Sequence, residues 1–262
     1  MIDSHYTVIA IQAALHSGEL LRRAFNTPFS IESKPGMHNL VTEWDRASEQ
    51  SIIAAILRHF PKHSILAEES GQHMQHASDV TWVIDPLDGT VNFAHGIPLF
   101  SVSIAVVVHK VVHSAVVYSP ILQELFVAEK GRGAFLNGTP LCVSTVGQLQ
   151  DSFLSTGFPY NVDKNPLHCI ETFSHILGKG IPIRRLGSAA LDLSYVAAGR
   201  FDAFWELNLS PWDSAAGILL VEEAGGKITQ YDGSPYHLFT DKTLVTSNGF
   251  LHNELIHSLR NV

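Results

Sequence analysis

The sequence contains few cysteines, no long apolar run and no excess of basic residues. Cys142 and Cys169 are the only cysteines among 262 residues, so one disulfide is the maximum, and two buried free thiols are the prediction. No run of about 18 apolar residues occurs, which argues against a membrane span. The N-terminus lacks the basic region and apolar stretch of a signal peptide. These absences predict a protein of a reducing cytoplasm.

Charge and size narrow the class of protein further. The formal net charge is -8, and the densest basic cluster is only Arg184-Arg185, so nucleic acid is not expected as the main partner. Hydrophobic residues make up 45% of the chain, which is enough for a large core. The acidic excess either serves solubility or includes carboxylates that converge on cations.

Helix and strand patterns are mixed along the whole chain. Apolar residues at helical spacing predict helices from Asp3 to Phe25 and from Asp45 to His59, and a β-rich meander follows from Leu99 to Val127. This mixture predicts an α/β (α+β) fold built from layers. A break near Thr145 divides it into halves 1–145 and 146–262, which form one functional unit because both supply acidic residues. The predicted elements of the second half are strands Ser152–Thr156, Ile181–Arg185, Phe201–Glu206 and Lys227–Thr229, and helices Pro166–Leu177, Ser188–Ala198 and Trp212–Ala224.

The segment Asp85–Thr90 has the strongest chemical pattern. A buried strand ends at Asp85, Pro86 forces a turn, and Asp88 follows three residues later, so both carboxylates can face one point. Gly89 permits close backbone approach, and Thr90 begins a short helical turn with free N–H groups and a hydroxyl for an anion. Oxygen ligands beside an anion cradle suit Mg²⁺ and a phosphate. Alone, the Asp-x-x-Asp-Gly pattern more often marks a turn with two solvated aspartates, but the upstream strand and Thr90 favour the functional interpretation.

Three further acidic segments have an ordinary and a functional interpretation each. Glu68 and Glu69 follow a short apolar strand, either as a charged loop or with one of the two in a site, because adjacent strand residues point to opposite sides. Asp213 lies in the first turn of an apolar helix, where it stabilises the helix dipole or binds a cation. Asp45 either caps the second helix or takes part in catalysis.

Together these segments resemble the inositol monophosphatase family, which belongs to the lithium-sensitive, Mg²⁺-dependent sugar phosphatases. The resemblance covers nearly the whole chain and rests on the segments Leu40–Asp45, Ala67–Ser70, Asp85–Phe93 and Pro211–Gly217, with Gly187–Ala189 and Glu206 at the family's spacing. It implies a phosphoric monoester hydrolase with a layered αβαβα fold, an antiparallel or mixed sheet in the first half, and a smaller α/β second half. It also implies a homodimer.

The resemblance implies two or three Mg²⁺ ions per site. Glu68, Asp85 and the carbonyl of Leu87 would bind the first ion; Asp85, Asp88 and Asp213 would bind the second; and Glu68 would contact a weaker third ion through water. The phosphate would rest on the N–H groups of Gly89 and Thr90. Glu68 and Thr90 would orient the attacking water, Asp45 would support Thr90, and Lys34 matches a family lysine near the site.

Substrate residues are also implied by the resemblance. These are Asp88, Gly187, Ser188, Ala189 and Glu206. The segment Val91–Phe93 resembles the inositol-phosphatase branch, which favours inositol 1-phosphate as the substrate. The segment Thr156–Tyr160 looks like bacterial members and edges the substrate pocket, so fructose 1,6-bisphosphate, NADP⁺ and other polyol phosphates remain alternatives.

Three rival classes are weaker. A zinc site would need His59 and His63 on one helix, but Pro61 lies between them and breaks it. A two-metal nuclease would need a basic groove that the sequence lacks. A non-catalytic regulator of the transcription machinery would not need the matched residues, all of which are intact.

Overall fold

The computed structural model of the chain describes residues 4–34, 40–73 and 78–260, in which helices and strands alternate. The helices are α1 His5–Ala24, α2 Glu43–His59, α3 Thr90–Ala94, α4 Cys169–Gly178, α5 Ala189–Ala197, α6 Pro211–Glu223 and α7 His252–Arg260. The strands of the first half are β1 Ile31–Ser33, β2 Leu40–Thr42, β3 Ser64–Ala67, β4 Gly71–His73, β5 Val80–Asp88, β6 Ser101–Val108, β7 Val111–Ser119, β8 Glu124–Glu129, β9 Gly133–Leu136 and β10 Thr139–Pro140. Those of the second half are β11 Leu154–Thr156, β12 Ile183–Arg184, β13 Ala203–Leu207, β14 Lys227–Thr229 and β15 Thr243–Ser247.

Most strands of the first half form one mixed sheet of eight strands in the order β10-β9-β8-β7-β6-β5-β3-β4. All neighbours are antiparallel except β3 and β5, which run parallel. Side chains alternate between two buried faces, so that Trp82 and Ile84 enter one hydrophobic core and Val83 enters another. This burial on both faces explains why β5 and β6 are rich in apolar residues, with Thr81, Asp85, Asp88, Ser101 and Ser103 as the polar positions.

The second half contains a smaller mixed sheet in the order β12-β11-β13-β15-β14. Strand β11 runs parallel to β12 and β13, whereas β15 is antiparallel to β13 and β14. Phe204 and Trp205 point to opposite faces of this sheet and belong to different cores. A separate two-stranded ribbon, β1 with β2, was not predicted.

Three hydrophobic cores stack the molecule into five layers. Helices α1 and α2 cover one face of the large sheet, α5 and α6 lie between the two sheets, and α4 and α7 cover the outer face of the small sheet. The predicted αβαβα fold is therefore confirmed. The middle core joins Val83 of the large sheet to Leu219 of α6 and Phe204 of the small sheet, so it crosses the boundary at residue 145.

Helix boundaries depart from the prediction where capping decides them. Helix α2 begins at Glu43, because Thr42 caps it and the Asp45 carboxylate accepts a hydrogen bond from the Thr42 N–H. The predicted helix Pro166–Leu177 is wrong at its start. A short 3₁₀ turn occupies Pro166–His168, and Leu167 has a left-handed φ of 50°, so α4 begins only at Cys169.

The cysteine prediction is correct in part. Both cysteines are free thiols; Cys169 is buried, but Cys142 is exposed because it lies in irregular chain after β10 rather than in a packed element. None of the described helices combines the length and the apolar character needed to cross a bilayer.

Candidate active site

The parallel pair β3 and β5 brings Glu68 and Asp85 to the same sheet edge. Ala67 pairs with Ile84, and the Glu68 N–H donates to the Ile84 carbonyl over 3.2 Å, so the next residues emerge side by side. Asp85 is 2% exposed and Glu68 is half-buried. The adjacent strands β3 and β5 therefore place one buried and one half-buried carboxylate side by side.

A bulge between Asp85 and Asp88 turns the end of β5 toward α3. The Asp85 carboxylate accepts the Leu87 N–H over 3.0 Å, which fixes the turn. Gly89 has a φ of +94°, and a Cβ there would lie 3.0 Å from the carbonyl oxygen of Leu99, so both backbone conformation and space require glycine. Helix α3 then begins at Thr90, as predicted.

Asp45 is hydrogen-bonded both at the start of α2 and to Thr90. One carboxylate oxygen accepts the Thr42 N–H at the start of α2, and the other accepts the Thr90 hydroxyl over 2.8 Å. Asp45 is fully buried, and burial raises the pKa of its carboxyl while these hydrogen bonds oppose the rise. Asp45 is therefore not the N-cap of α2, which is Thr42; it is the third residue of the helix, where it completes a capping box with Thr42 and also holds Thr90.

The second half of the chain closes the acidic cluster. Asp213 stands in the first turn of α6, where it accepts the Ser210 N–H over 2.6 Å. Asp88 accepts hydrogen bonds from the Ser188 hydroxyl, over 2.5 Å, and from the Ala190 N–H, over 2.8 Å. The start of α5 is therefore tied to the end of β5, which brings the predicted metal-ligand and substrate residues together.

The four carboxylates of this cluster, Glu68, Asp85, Asp88 and Asp213, oppose each other's ionisation. Burial first, and then the charges of Glu68, Asp88 and Asp213, raise the pKa of Asp85 well above its usual range. Burial likewise raises the pKa of Asp88 to about 6, although its hydrogen bonds lower it. Concentrated negative charge away from water needs a compensating cation.

The donor set suits Mg²⁺ chemically. Carboxylate and carbonyl oxygens are its preferred protein ligands, and the Leu87 carbonyl oxygen, which lies 3.0 Å from the Thr90 hydroxyl oxygen, has lone pairs to offer. Within the described ranges, no three acidic, histidine or cysteine side chains already surround one point as a metal cage. Several of the acidic oxygens instead accept hydrogen bonds from the protein, as at Asp88 and Asp213.

Lys34 brings a positive charge to the cluster. Its ammonium group donates to Glu68 over 2.9 Å and to Glu69 over 2.5 Å. Burial lowers the pKa of Lys34, but the two carboxylates outweigh burial and raise it. The expectation that Glu68 and Glu69 point to opposite sides is wrong, because residues 68–70 form a turn rather than continue the strand.

Glu206 lies near Asp88, one residue before the end of β13. Burial, followed by the charge of Asp88, raises the pKa of its carboxyl to about 8. Gly187, with a φ of +82°, and the buried Ser188 precede Ala189 at the start of α5. These predicted substrate residues therefore surround one side of Asp88.

Three residues at the site were not singled out from the sequence as site residues. The Asn92 amide donates to the carbonyls of Leu99 and Leu186, over 2.7 and 2.8 Å, and so ties α3 to the second half. Tyr160 is 56% exposed, but loss of water around its hydroxyl and the charges of Glu68 and Asp213 raise its pKa. Asp192 is buried behind Glu206. Tertiary contacts alone bring these three side chains near the site.

The zinc alternative is not supported at the described histidines. His63 accepts a hydrogen bond from the Trp82 indole over 3.0 Å and stacks on Phe60. His59 contacts the rings of His5 and Phe60 instead. These histidines are packed in an aromatic cluster at the end of α2.

Comparison with known proteins places the whole chain among relatives. The profile of the Inositol monophosphatase family matches residues 3–262. The protein named Nus factor SuhB from Escherichia coli K12 is 43% identical over 253 residues, which cover 96% of this chain and 94% of that protein. The Inositol-1-monophosphatase of Synechocystis is 44% identical over 251 residues, covering 96% and 87%. The crystal structure of the extragenic suppressor protein suhB from Bartonella henselae has a TM-score of 0.93 at 38% identity, covering 98% and 99%.

These matches agree with the fold and with the site geometry. The aligned lengths include the acidic segments of both halves, and the five-layer fold is shared with the solved relative. The chain therefore belongs to the inositol monophosphatase family.

Proposed function

We propose that this protein is a Mg²⁺-dependent phosphatase of small phosphate monoesters, with inositol 1-phosphate as its substrate. The observation that carries the proposal is the convergence of Glu68, Asp85, Asp88 and Asp213, which oppose each other's ionisation, beside the start of α3. A cation bound here would neutralise the carboxylates and would attract the negative charge of a phosphate group. The name of the Synechocystis relative supports the substrate.

The acidic residues would hold two Mg²⁺ ions. Glu68, Asp85 and the Leu87 carbonyl would bind one, and Asp85, Asp88 and Asp213 would bind the other, with a third ion reached by Glu68 through water. Bound Mg²⁺ lowers the pKa of water and neutralises the charge that develops on the phosphate and the leaving oxygen. Asp85 would belong to both ligand sets, and the charges of Glu68, Asp88 and Asp213 all act on it.

Thr90 would orient the attacking water and the phosphate. Its hydroxyl donates to Asp45 over 2.8 Å, so the threonine oxygen keeps a lone pair that can accept a hydrogen bond from water. Glu68 provides a second acceptor on the accessible side. The N–H groups of Gly89 and Thr90, at the start of α3, would bind phosphate oxygens.

The substrate alcohol would lie against the second half of the chain. Glu206 would accept hydrogen bonds from substrate hydroxyls, and Gly187, Ser188 and Ala189 would line the same side, next to Asp88. This acceptor favours phosphorylated polyols over simple phosphate esters. Fructose 1,6-bisphosphate and NADP⁺ are the competing substrates.

A phosphate-release assay tests the proposal. Inositol 1-phosphate, fructose 1,6-bisphosphate, NADP⁺ and 3′-phosphoadenosine 5′-phosphate would each be incubated with Mg²⁺, with EDTA, and with Mg²⁺ plus Li⁺. We expect Mg²⁺-dependent release that is fastest from inositol 1-phosphate and is inhibited by Li⁺. Preference for another compound would reassign the substrate, and no release from any of them would contradict the phosphatase function.

A second candidate function is association with the transcription machinery. Relatives that carry the name Nus factor support it, at 43% identity over nearly the whole chain. Retention of purified RNA polymerase by the immobilised protein, unchanged in an Asp85→Asn variant, would establish a role separate from catalysis. The proposed homodimer is measured by light scattering of the same preparation.

A further inference from the structure

Gly157 lies directly beneath the carboxyl group of Glu206. Strand β11 ends one residue earlier, and the Thr156 hydroxyl donates to the Trp205 carbonyl of β13 over 2.8 Å, which fixes the two chains side by side. A Cβ at residue 157 would lie 2.0 and 2.4 Å from the two carboxyl oxygens of Glu206 and 2.3 Å from their carbon. The carboxyl group therefore occupies the space that any side chain at residue 157 would need.

The requirement for glycine here is one of space and not of backbone conformation. Gly157 is not among the residues with a left-handed φ, so an alanine could adopt its backbone without strain. The obstacle is the end of a flexible side chain, which can move. An added methyl group would therefore displace the Glu206 carboxyl rather than the strand.

The other side of Glu206 is closed by a second acid. Phe204 and Glu206 share the sheet face toward α5, on which Asp192 is 1% exposed. One oxygen of Asp192 has no hydrogen-bond partner in the described part of the chain. Burial, followed by the charge of Glu206, raises the pKa of Asp192. Glu206 cannot move inward without approaching this buried carboxyl, so a displaced carboxyl moves away from the position that faces Asp88.

We propose that Gly157 is a positioning residue that holds the Glu206 carboxyl in place to bind substrate hydroxyls, and so selects polyol phosphates over phosphates of simple alcohols. The inference rests on the proposed phosphatase function and adds to it the residue that sets the selectivity. Gly157 itself touches no reacting atom in this proposal.

Replacing Gly157 by alanine would weaken one hydrogen bond between the Glu206 carboxyl and the substrate. We expect KM for inositol 1-phosphate to rise about tenfold, a typical effect of losing such a bond. 4-Nitrophenyl phosphate has no neighbouring hydroxyl for Glu206 to bind. The selectivity, taken as the ratio of kcat/KM for the two substrates, would therefore fall about tenfold in Gly157→Ala.

A double-mutant cycle tests whether Gly157 acts through Glu206. Gly157→Ala, Glu206→Ala and the double variant would be compared in kcat, KM and Tm, with Gly147→Ala as the control because nothing lies within 4 Å of a Cβ at residue 147. In Glu206→Ala the carboxyl is gone and the methyl group at residue 157 fits. We expect the double variant to match Glu206→Ala in selectivity and in Tm.

Each outcome of the cycle is decisive. The inference would be overturned if the losses of selectivity in Gly157→Ala and Glu206→Ala multiplied in the double variant. It would also be overturned if Gly157→Ala lost activity equally on inositol 1-phosphate and on 4-nitrophenyl phosphate. If Gly157→Ala does not fold, recovery of Tm in the double variant supports the contact and failure to recover overturns it. A wild-type protein without phosphatase activity would contradict the proposed function, and the Tm cycle would then decide the Gly157–Glu206 contact separately.

Discussion

Asp85 is the residue at which the charge effects of the acidic cluster converge, and replacing it should cost the most activity. Asp85→Asn keeps the shape of the side chain but removes the charge that both ions would share. We expect kcat/KM for phosphate release to fall by at least about 10³-fold, which corresponds to roughly 4 kcal/mol of barrier. Asp79→Asn is the matched control, because Asp79 has a side chain that is 77% exposed. Near-native activity of Asp85→Asn would refute the proposed mechanism.

Two substitutions of Thr90 separate the role of its hydroxyl from that of its methyl group. Its hydroxyl donates to the fully buried Asp45, so Thr90→Ala removes the water-orienting oxygen and leaves a buried carboxylate oxygen without its donor. We expect kcat to fall about 10²-fold and the free energy of unfolding to fall by about 1–3 kcal/mol. Thr90→Ser should keep most of both, and equal losses in the two variants would assign the role to the methyl group.

Single residues of this site differ in how far the sequence predicts them. Glu68 directly follows β3, and Asp85 and Asp88 lie among the last four residues of β5; the apolar runs that lead into these positions can be read from the sequence, so their convergence was predictable. The contact of Gly157 with Glu206 joins residues that are distant in sequence. No local pattern marks it, because it depends on the register between β11 and β13.

At the scale of elements, strands were predicted well and irregular turns poorly. Strands β5 and β6 are buried on both faces, and such strands are continuous apolar runs. The start of α4 was predicted too early, because the sequence Pro166–His168 is compatible with a helix until Leu167 adopts a left-handed conformation. The ribbon β1–β2 is short, and its β1 residues are exposed, so it has no apolar pattern to detect.

Helices α5 and α6 approach each other so closely at Gly217 that a larger residue there should destabilise the protein. A Cβ at residue 217 would lie 2.4 Å from the Cβ of Leu193. Alanine improves helix propensity by about 1 kcal/mol, but overpacking costs about 1–3 kcal/mol. We expect Gly217→Ala to lower the urea midpoint. Gly178→Ala, at the end of α4 with nothing within 4 Å, is the control and should leave it unchanged or raise it.

Helix α7 is joined to the small sheet through His252, which is buried. Because this histidine is neutral in the folded protein, it should contribute to the loss of stability at acid pH. The His252 ring contacts the Ser247 hydroxyl over 2.7 Å and the Thr229 hydroxyl over 2.9 Å. Burial, and then the charge of Lys227, lowers the pKa of His252 to about 4. The unfolded chain, with a histidine pKa of about 6.5, binds more protons between these values.

The stabilisation from neutral His252 is therefore complete above about pH 6.5 and is lost as the pH falls toward about 4. The loss amounts to at most about 3 kcal/mol. Urea unfolding at pH 7.5 and 4.5 should show a smaller difference for His252→Gln than for the wild type. The difference between the wild type and His252→Gln is the informative quantity, because carboxyls with raised pKa values, such as Asp85, affect stability in the opposite direction as the pH falls. An identical pH dependence in both proteins would contradict this role.

The whole molecule should unfold in one transition that Mg²⁺ shifts. The middle core contains side chains from both halves, and Asp88 of the first half is hydrogen-bonded to Ser188 and Ala190 of the second. The proposed halves 1–145 and 146–262 are therefore expected to lose their structure together. Because the ligands converge only in the folded chain, Mg²⁺ at about 100 times its Kd should add about 2.7 kcal/mol of stability.

Scanning calorimetry with EDTA and with Mg²⁺ measures both effects. We expect one peak in each case, and a higher Tm with Mg²⁺. Asp213→Asn removes the ligand that the second half contributes, so the Mg²⁺-induced rise in Tm should shrink, whereas Asp79→Asn should keep it in full. Two separate peaks, of which only one responds to Mg²⁺, would mean that a single half binds the ion and that the metal site does not depend on the packing of α6 between the sheets.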